Sequence, residues 1–219
     1  MDIKALSEKY ERYIIEQRRW FHTHPELSWE ENETTEAIAA ELEKMGLKVE
    51  RFEGHPGCTA MIYGGKAQPN CKTVALRADI DALPVEEKTE LPFASKNKGV
   101  MHACGHDIHI AMLLGAAKIL TEISDELTGN VKLFFQAAEE TCHGAEYYVA
   151  QGVLDGVDAM YGQHIWANMD APLINVEPGV RMASCDNFTI RVEGVSTHGS
   201  SPNLGVDAIV AASAIVTVS

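Results

Sequence analysis

The alternation of strand-like and helix-like segments is the feature of this sequence that most constrains its fold. Strand length and apolar character mark five runs, at 47–52, 59–63, 73–80, 131–136 and 158–164. Helical periodicity marks four segments, at 3–21, 32–46, 107–120 and 144–151. Asn32 is expected to cap the second helix and Gly46 to end it. Because the last three strands alternate with helices, the sequence predicts a layered α/β domain.

The pattern changes past residue 184. Phe188, Ile190 and Val192 alternate with polar residues, as in a strand with one face in water, and an apolar helix is predicted from Asp207. A length of 219 residues corresponds to about one and a half domains. We therefore predict one domain at 1–184 and the beginning of a smaller α+β domain at 185–219. The sequence is interpreted as the N-terminal part of a longer protein, since its last residues carry none of the usual helix-ending signals.

Charge and cysteine content limit the partners and the compartment. The chain has 18 basic and 32 acidic residues, a net charge of −14, which disfavours nucleic acid and anionic membrane surfaces as partners. Its first residues are too charged for a signal peptide, and no apolar run approaches the ~18 residues of a membrane span. The five widely spaced cysteines favour a reducing compartment. We predict a cytoplasmic protein that binds neither nucleic acid nor membrane.

The densest group of chemically active side chains lies at the start of the predicted helix at 107–120. It contains three histidines and a cysteine, namely His102, Cys104, His106 and His109. Borderline-soft divalent metals favour such donors. A cysteine at a helix N-terminus also has a stabilised thiolate, which serves metal binding and nucleophilic attack equally well. A purely structural role for these residues is the alternative.

Other candidates follow predicted strands. Glu139 and Glu140 come directly after the strand at 131–136, and His164 ends the strand at 158–164. Ligands bind at the carboxyl ends of strands in α/β sheets, where one carboxylate could bind a cation and its neighbour take a proton from water. Asp79 and Asp81 lie at the end of another strand, and one of them could orient a metal-bound imidazole. Solvated carboxylates and a structural histidine are the alternatives.

The motifs taken together resemble a known family. Five segments, in this order, are similar to segments of the amidohydrolase branch of the M20 metallopeptidase family. They are RRWFHTHPELSWEE, ALRADIDALPVEE, MHACGHDIHIAMLLGAA, QAAEE and GQHIW. The resemblance extends from about Arg18 to the last residue. That branch includes N-acyl-amino-acid, hippurate and auxin-conjugate hydrolases. The resemblance implies a metallo-exopeptidase-like catalytic domain at 1–184 and the start of a lid or dimerisation domain at 185–219.

The resemblance also implies a site with two divalent metal ions, which could be Zn, Mn, Ni or Co. In this interpretation Cys104, His106, Glu140 and His164 are metal ligands, and Glu139 is the general base. The family's remaining ligand is a histidine near the C-terminus of full-length chains. None of these 219 residues corresponds to it.

His198 lies in the polar loop at 194–205, whose simplest interpretation is a flexible turn. The resemblance implies that this histidine reaches an active site, commonly that of a partner subunit, and stabilises the reacting carbonyl oxygen. Two departures from the family pattern concern substrate contacts. Asn203 stands where the family has a second histidine, and 141–143 replaces a Gly-rich stretch.

The hypothesis is a metal-dependent hydrolase of the amide bond of N-acyl-L-amino acids, in which Glu139 activates a water that bridges the metals. Its substrate is a small molecule, and the full-length protein is expected to form a homodimer or homo-oligomer through the lid. We expect residues 1–219 to be insufficient for activity by themselves. Two alternatives stay open: a hydrolase with Cys104 as nucleophile, and a non-catalytic metal-binding or assembly protein with the same fold.

Overall fold

The computed structural model describes residues 2–184 and 188–218. Two compact units are distinguished, Met1–Glu177 and Pro178–Ser219. Among the described residues, no helix is both long and apolar enough to cross a membrane. Cys185, one of the five cysteines, lies outside the described residues.

The first unit contains a mixed sheet of five strands. They are β1 (Val49–Arg51), β2 (Cys58–Ile62), β3 (Thr73–Asp79), β4 (Asn130–Gln136) and β5 (Ala159–Gly162). Their order in the sheet is β1-β2-β4-β3-β5. β3 pairs in parallel with both β4 and β5, whereas β1 and β2 are joined to the sheet by antiparallel pairing. The five predicted strands and the α/β fold are confirmed.

Helices pack against this sheet. They are α1 (Ile3–Thr23), α2 (Asn32–Lys44), α3 (His106–Glu122) and α4 (Gly144–Ala150). α2, α3 and α4 contact strands, and α1 packs mainly on α3. The core between them is apolar and includes the fully buried Phe21, Ile38, Leu114, Leu133 and Phe135. Since β4 lies in the middle of the sheet, its apolar side chains account for much of this core.

The start of α2 differs from the prediction. Asn32 is the first residue of the helix instead of its cap, and its side-chain amide donates to the Glu30 carbonyl oxygen at 3.2 Å. The carboxylate of Glu26 caps the helix, because it accepts from the amides of Glu33 at 3.1 Å and Thr34 at 2.7 Å. A charged two-oxygen acceptor satisfies two helix-end amides at once and suits the positive end of the helix dipole.

The second unit lacks the strand predicted from Phe188 to Glu193. Its described residues show no strand there, and Phe188 is 78% exposed. The nearest pairing is an isolated antiparallel bridge between Val195 and Val206. An alternating pattern forms a strand only beside a hydrogen-bonding neighbour, which the described part of this unit does not offer. The predicted helix is present as α5 (Ala208–Val218), with Asp207 accepting from two of its first amides.

Candidate metal centre

The candidate site lies at the carboxyl ends of the three parallel strands. β3 and β4 end in register, since Asp79 pairs with Gln136, and β5 lies on the other side of β3. Parallel strands that end at one edge bring the residues following them together. The sequence positions singled out above lie two to four residues past the ends of these strands: Asp81 after β3, Glu139 and Glu140 after β4, and His164 after β5, which ends at Gly162 and not at His164 as predicted.

His106 is at the centre of the site and is fully buried. Its Nδ1 lies 2.9 Å from the carbonyl oxygen of Asp81 and 3.2 Å from Oδ1 of the same residue. Both are acceptors, so Nδ1 carries a proton and Nε2 is the ring nitrogen that faces the site. That Nε2 is buried and has no hydrogen-bond partner among the described residues. Carboxylate oxygens surround it at 3.7 Å (Glu140), 3.8 Å (Asp79) and 3.9 Å (Glu139). Such distances are too long for hydrogen bonds but suit atoms that share a cation.

Cys104 and His164 form the second part of the site. The Cys104 Sγ lies 3.3 Å from Nε2 of His164, whose Nδ1 is 2.5 Å from the carbonyl oxygen of Ile165. Gly105 makes this approach possible. Its φ is +85°, and a Cβ there would lie 2.2 Å from the Ile165 Cδ1. A residue other than glycine would therefore be strained, and its side chain would displace that of Ile165, next to His164.

Three overlapping groups of possible ligand atoms result, each with its atoms within 4.8 Å of one another. They are Cys104–His106–His164, His106–Glu139–Glu140 and Asp79–His106–His109. The structure thus brings together the four predicted ligands and the predicted base. Their roles as ligands and base stay predictions.

Two aspartates orient the imidazoles of the site. Asp81 holds His106 and also accepts from Ser28 Oγ at 2.7 Å and from the Glu140 amide at 2.9 Å. Asp79 lies 2.5 Å from Nδ1 of His109, whose Nε2 accepts from the Ile165 amide at 3.0 Å. The expectation that an aspartate orients an imidazole agrees with both contacts. The role of His109, which fixes the main chain next to His164, was missed by the sequence reasoning.

Burial and negative neighbours disfavour a free thiolate at Cys104. Burial, followed by the nearby Glu140, Glu139 and Asp79 carboxylates, raises the pKa of the Cys104 thiol to about 12. This is opposite to the stabilised thiolate expected from the helix N-terminus, because desolvation and three negative neighbours disfavour a further negative charge. Burial opposes a charge on His106, yet Asp81 and Asp79 raise its pKa to about 9. Burial also raises the pKa of Glu139 above its ordinary value.

Glu31 is a buried acid that the sequence reasoning did not select. It is fully buried, and its Oε1 accepts from the amide of Ala138 at 2.7 Å. Burial is the main reason that its pKa is raised to about 8. It belongs to the acidic stretch at 30–33, whose composition is typical of a solvated surface, so nothing in the residue types indicates its burial.

His198 belongs to the second unit and is exposed there. Its Nδ1 lies 2.9 Å from Ser200 Oγ and accepts from the Ser200 amide at 3.2 Å. The loop is therefore held by local hydrogen bonds, as a turn would be. A catalytic role for His198 stays a prediction.

The chain matches a known protein family and is similar to curated relatives. Residues 75–217 match the profile of peptidase family M20/M25/M40. The chain is 42% identical, over 99% of its length and 58% of the relative, to the N-acyl-L-amino acid amidohydrolase of Geobacillus stearothermophilus. It is 45% identical, over 94% of its length and 49% of the relative, to the N-acetyl-L-cysteine deacetylase of Bacillus subtilis. The chain spans about half the length of the curated relatives that it matches.

A solved structure shows the same fold. The YXEP protein of Bacillus subtilis, described as a dinuclear metal binding peptidase from the M20 family, has a TM-score of 0.70 and 42% sequence identity to this chain. The match covers 74% of this chain and 45% of that protein.

Proposed function

Since this chain belongs to peptidase family M20/M25/M40, within its amidohydrolase branch, we propose that it carries the metal site of a hydrolase that cleaves the amide bond of N-acyl-L-amino acids. The observation that carries the proposal is the unpartnered Nε2 of His106, buried among three carboxylates and next to a cysteine–histidine pair. The names of the two bacterial relatives support the substrate class, because each names an N-acyl amino acid as the substrate of hydrolysis.

The residues present fit two divalent cations. Cys104, His106, Glu140 and His164 would hold them, with a mixed sulfur, nitrogen and oxygen donor set that suits Zn, Mn, Ni or Co. Two further observations support the fit. The buried Oε1 of Glu140 also lacks a hydrogen-bond partner among the described residues, and the related YXEP protein is described as dinuclear.

In this proposal the chain's own residues divide the chemistry. Bound divalent cations would lower the pKa of water and polarise the substrate carbonyl. Glu139, whose side chain is 37% exposed, takes the proton from the attacking water and delivers it to the leaving amine. Asp81 keeps Nδ1 of His106 protonated, so that Nε2 faces the site. His198 would donate a hydrogen bond to the carbonyl oxygen as negative charge develops on it.

A cysteine hydrolase is the second candidate, and one observation favours it. His164 Nε2 lies 3.3 Å from the Cys104 Sγ, the arrangement expected of a base and its nucleophile. Burial and the surrounding carboxylates raise the pKa of that thiol, which opposes a free thiolate whether it serves as nucleophile or as ligand. The metal-dependent mechanism has the stronger support because the pair lies beside the unpartnered Nε2 of His106 and the Glu139 and Glu140 carboxylates, donors that a cysteine nucleophile would leave unused.

The direct test is an assay of the protein expressed from its complete gene against N-acetyl and N-benzoyl amino acids. We expect hydrolysis that a chelator abolishes and that added Zn²⁺, Mn²⁺, Ni²⁺ or Co²⁺ restores. Hydrolysis that persists in the metal-stripped protein would favour Cys104 as nucleophile. Stoichiometric metal without turnover of any substrate would favour the non-catalytic binding protein.

Cys104→Ser is expected to weaken metal binding, because a hydroxyl is a far poorer ligand than a thiolate for these cations. The loss should reach at least the ~10- to 100-fold in affinity that removal of an outer-sphere partner costs. Metal content after dialysis against a buffered metal solution measures it. Cys71→Ser is the matched control. Cys71 precedes β3, and the site lies past the other end of that strand, roughly 20 Å away at the usual rise per residue. Equal metal content in the two variants would contradict the ligand role of Cys104.

The lid, the assembly and the compartment are further parts of the proposal. We propose that residues 185–219 begin a lid through which the protein forms a homodimer or homo-oligomer. Some apolar side chains in this segment are exposed, among them Phe188, Ile209 and Val210. Their exposure supports packing against the rest of a lid or against a partner subunit. The wide spacing of the five cysteines along the chain supports a reducing compartment such as the cytoplasm.

A further inference from the structure

The turn that follows β4 has an unfavourable backbone conformation. Ala138 has a φ of +56°, in the left-handed region that non-glycine residues avoid. Such a conformation is unfavourable for alanine and persists only where its surroundings enforce it. Because Ala138 directly precedes Glu139 and Glu140, its conformation sets the direction in which both carboxylates leave the sheet.

Hydrogen bonds from distant parts of the chain hold this turn. The Ala138 amide donates to Glu31 Oε1 at 2.7 Å, across 107 positions of sequence, and the Glu140 amide donates to Asp81 Oδ2 at 2.9 Å. The Ala138 carbonyl oxygen accepts from the amide of Gly144 at 3.1 Å. A Cβ at Gly144 would lie only 2.1 Å from the Ala137 oxygen, so the turn is also closely packed.

We propose that Glu31 is a positioning residue for the reaction: its side chain holds Ala138 in the left-handed conformation and thereby fixes Glu139 and Glu140 in the site. The inference rests on the proposed roles of Glu139 and Glu140. It assigns to Glu31 no contact with substrate or metal.

The environment of Glu31 supports this role over a general structural one. The Oε1 of Glu31 accepts from the Ala138 amide, whereas its Oε2 is buried with no hydrogen-bond partner among the described residues. Burying a carboxyl oxygen without a hydrogen-bond partner is unfavourable for folding. A buried acid that costs stability and holds the strained residue beside two site carboxylates is typical of a functional position.

Two substitutions separate geometry from charge. Glu31→Gln keeps the length of the side chain and an oxygen that accepts from Ala138, so kcat should stay within about threefold of the original value. Glu31→Asp keeps the acid but is one methylene too short to reach the amide, and kcat should fall about 10- to 100-fold, as misplacement by about 1 Å does. KM should change less than kcat, because the change affects Glu139 and not a contact with substrate.

A glycine background tests the link to Ala138. Glycine adopts positive φ without strain, so Ala138→Gly should reduce the need for Glu31. We expect the loss in kcat caused by Glu31→Asp to be smaller in the Ala138→Gly background than in the original protein. Equal losses in the two backgrounds would overturn the inference, as would full activity of Glu31→Asp together with low activity of Glu31→Gln.

Hydrogen exchange of the metal-free protein supplies a readout that does not depend on activity. The amides at 138–140 should exchange at least about tenfold faster in Glu31→Asp than in Glu31→Gln, while amides of the central strand β4 keep their protection. Equal exchange at 138–140 in both variants would overturn the inference. This result is separable from the proposed function: absence of hydrolysis by the original protein would count against the function, and the exchange data would still decide the role of Glu31.

Discussion

Glu139→Gln is expected to lower kcat by about 10²- to 10⁴-fold, the usual cost of removing a general base. The amide has the size of the carboxylate but cannot accept the proton from water. Glu139 is partly exposed at the open side of the site, 3.9 Å from His106 Nε2, where a water and a substrate can reach it. Metal content should not change, because the proposed ligands are untouched. Steady-state kinetics with N-acetyl amino acids and metal analysis of the same sample measure both quantities.

The control for this substitution is Glu146→Gln. Glu146 is an exposed residue of the neighbouring helix α4, and its amide variant should retain full activity. If Glu139→Gln kept kcat within threefold of the original enzyme, another group would have to take the proton. A variant that lost its metal instead would make Glu139 a ligand.

His106→Ala is expected to have an effect of the same order or larger. His106 is a member of all three groups of ligand atoms found among the described residues, so its loss removes a donor from each. Since cations contribute several kcal/mol to such hydrolysis, kcat should fall by about 10³-fold or more, and most of the bound metal should be lost. Metal analysis, together with activity at saturating added metal, measures this result.

Stability distinguishes a lost ligand from a misfolded protein. In the metal-free state His106→Ala removes one of the three hydrogen-bond partners of the Asp81 carboxylate, which should lower the free energy of unfolding by about 1–3 kcal/mol and leave the fold intact. His143→Ala, which removes an exposed imidazole three positions after Glu140, should change neither metal content nor stability. Normal metal content in His106→Ala would contradict the central role of His106.

The elements of the first unit could be predicted because local patterns determine them. The runs at 73–80 and 131–136 have the length and the apolar, β-branched or aromatic residues typical of a strand, and they form β3 and β4 within one residue of the predicted ends. The predicted strand from Phe188 is wrong because pairing depends on a neighbour, which a local pattern does not reveal. The cap of α2 was misassigned for a related reason, since Glu26 reaches the helix end from outside the usual capping position.

The candidate site was predictable where its residues are close in sequence. Cys104 and His106 lie two positions apart at the start of helix α3. Glu139 and Glu140 are adjacent and come shortly after strand β4. Glu31 carries no such signal, because its importance comes from a contact with Ala138 across 107 positions. Burial of a single acid depends on tertiary packing, and one sequence does not specify that packing at the level of individual side chains.

The contacts of Asp81 have a consequence for the order of folding. This one carboxylate joins Ser28, His106 and Glu140, which lie 53, 25 and 59 positions away along the chain. Each contact closes a long loop, and the entropy of closure opposes it until the surrounding elements have formed. Helices α1 and α3, by contrast, form from local contacts on a faster timescale. We therefore expect the cation-binding geometry to assemble late in folding, after these helices have formed.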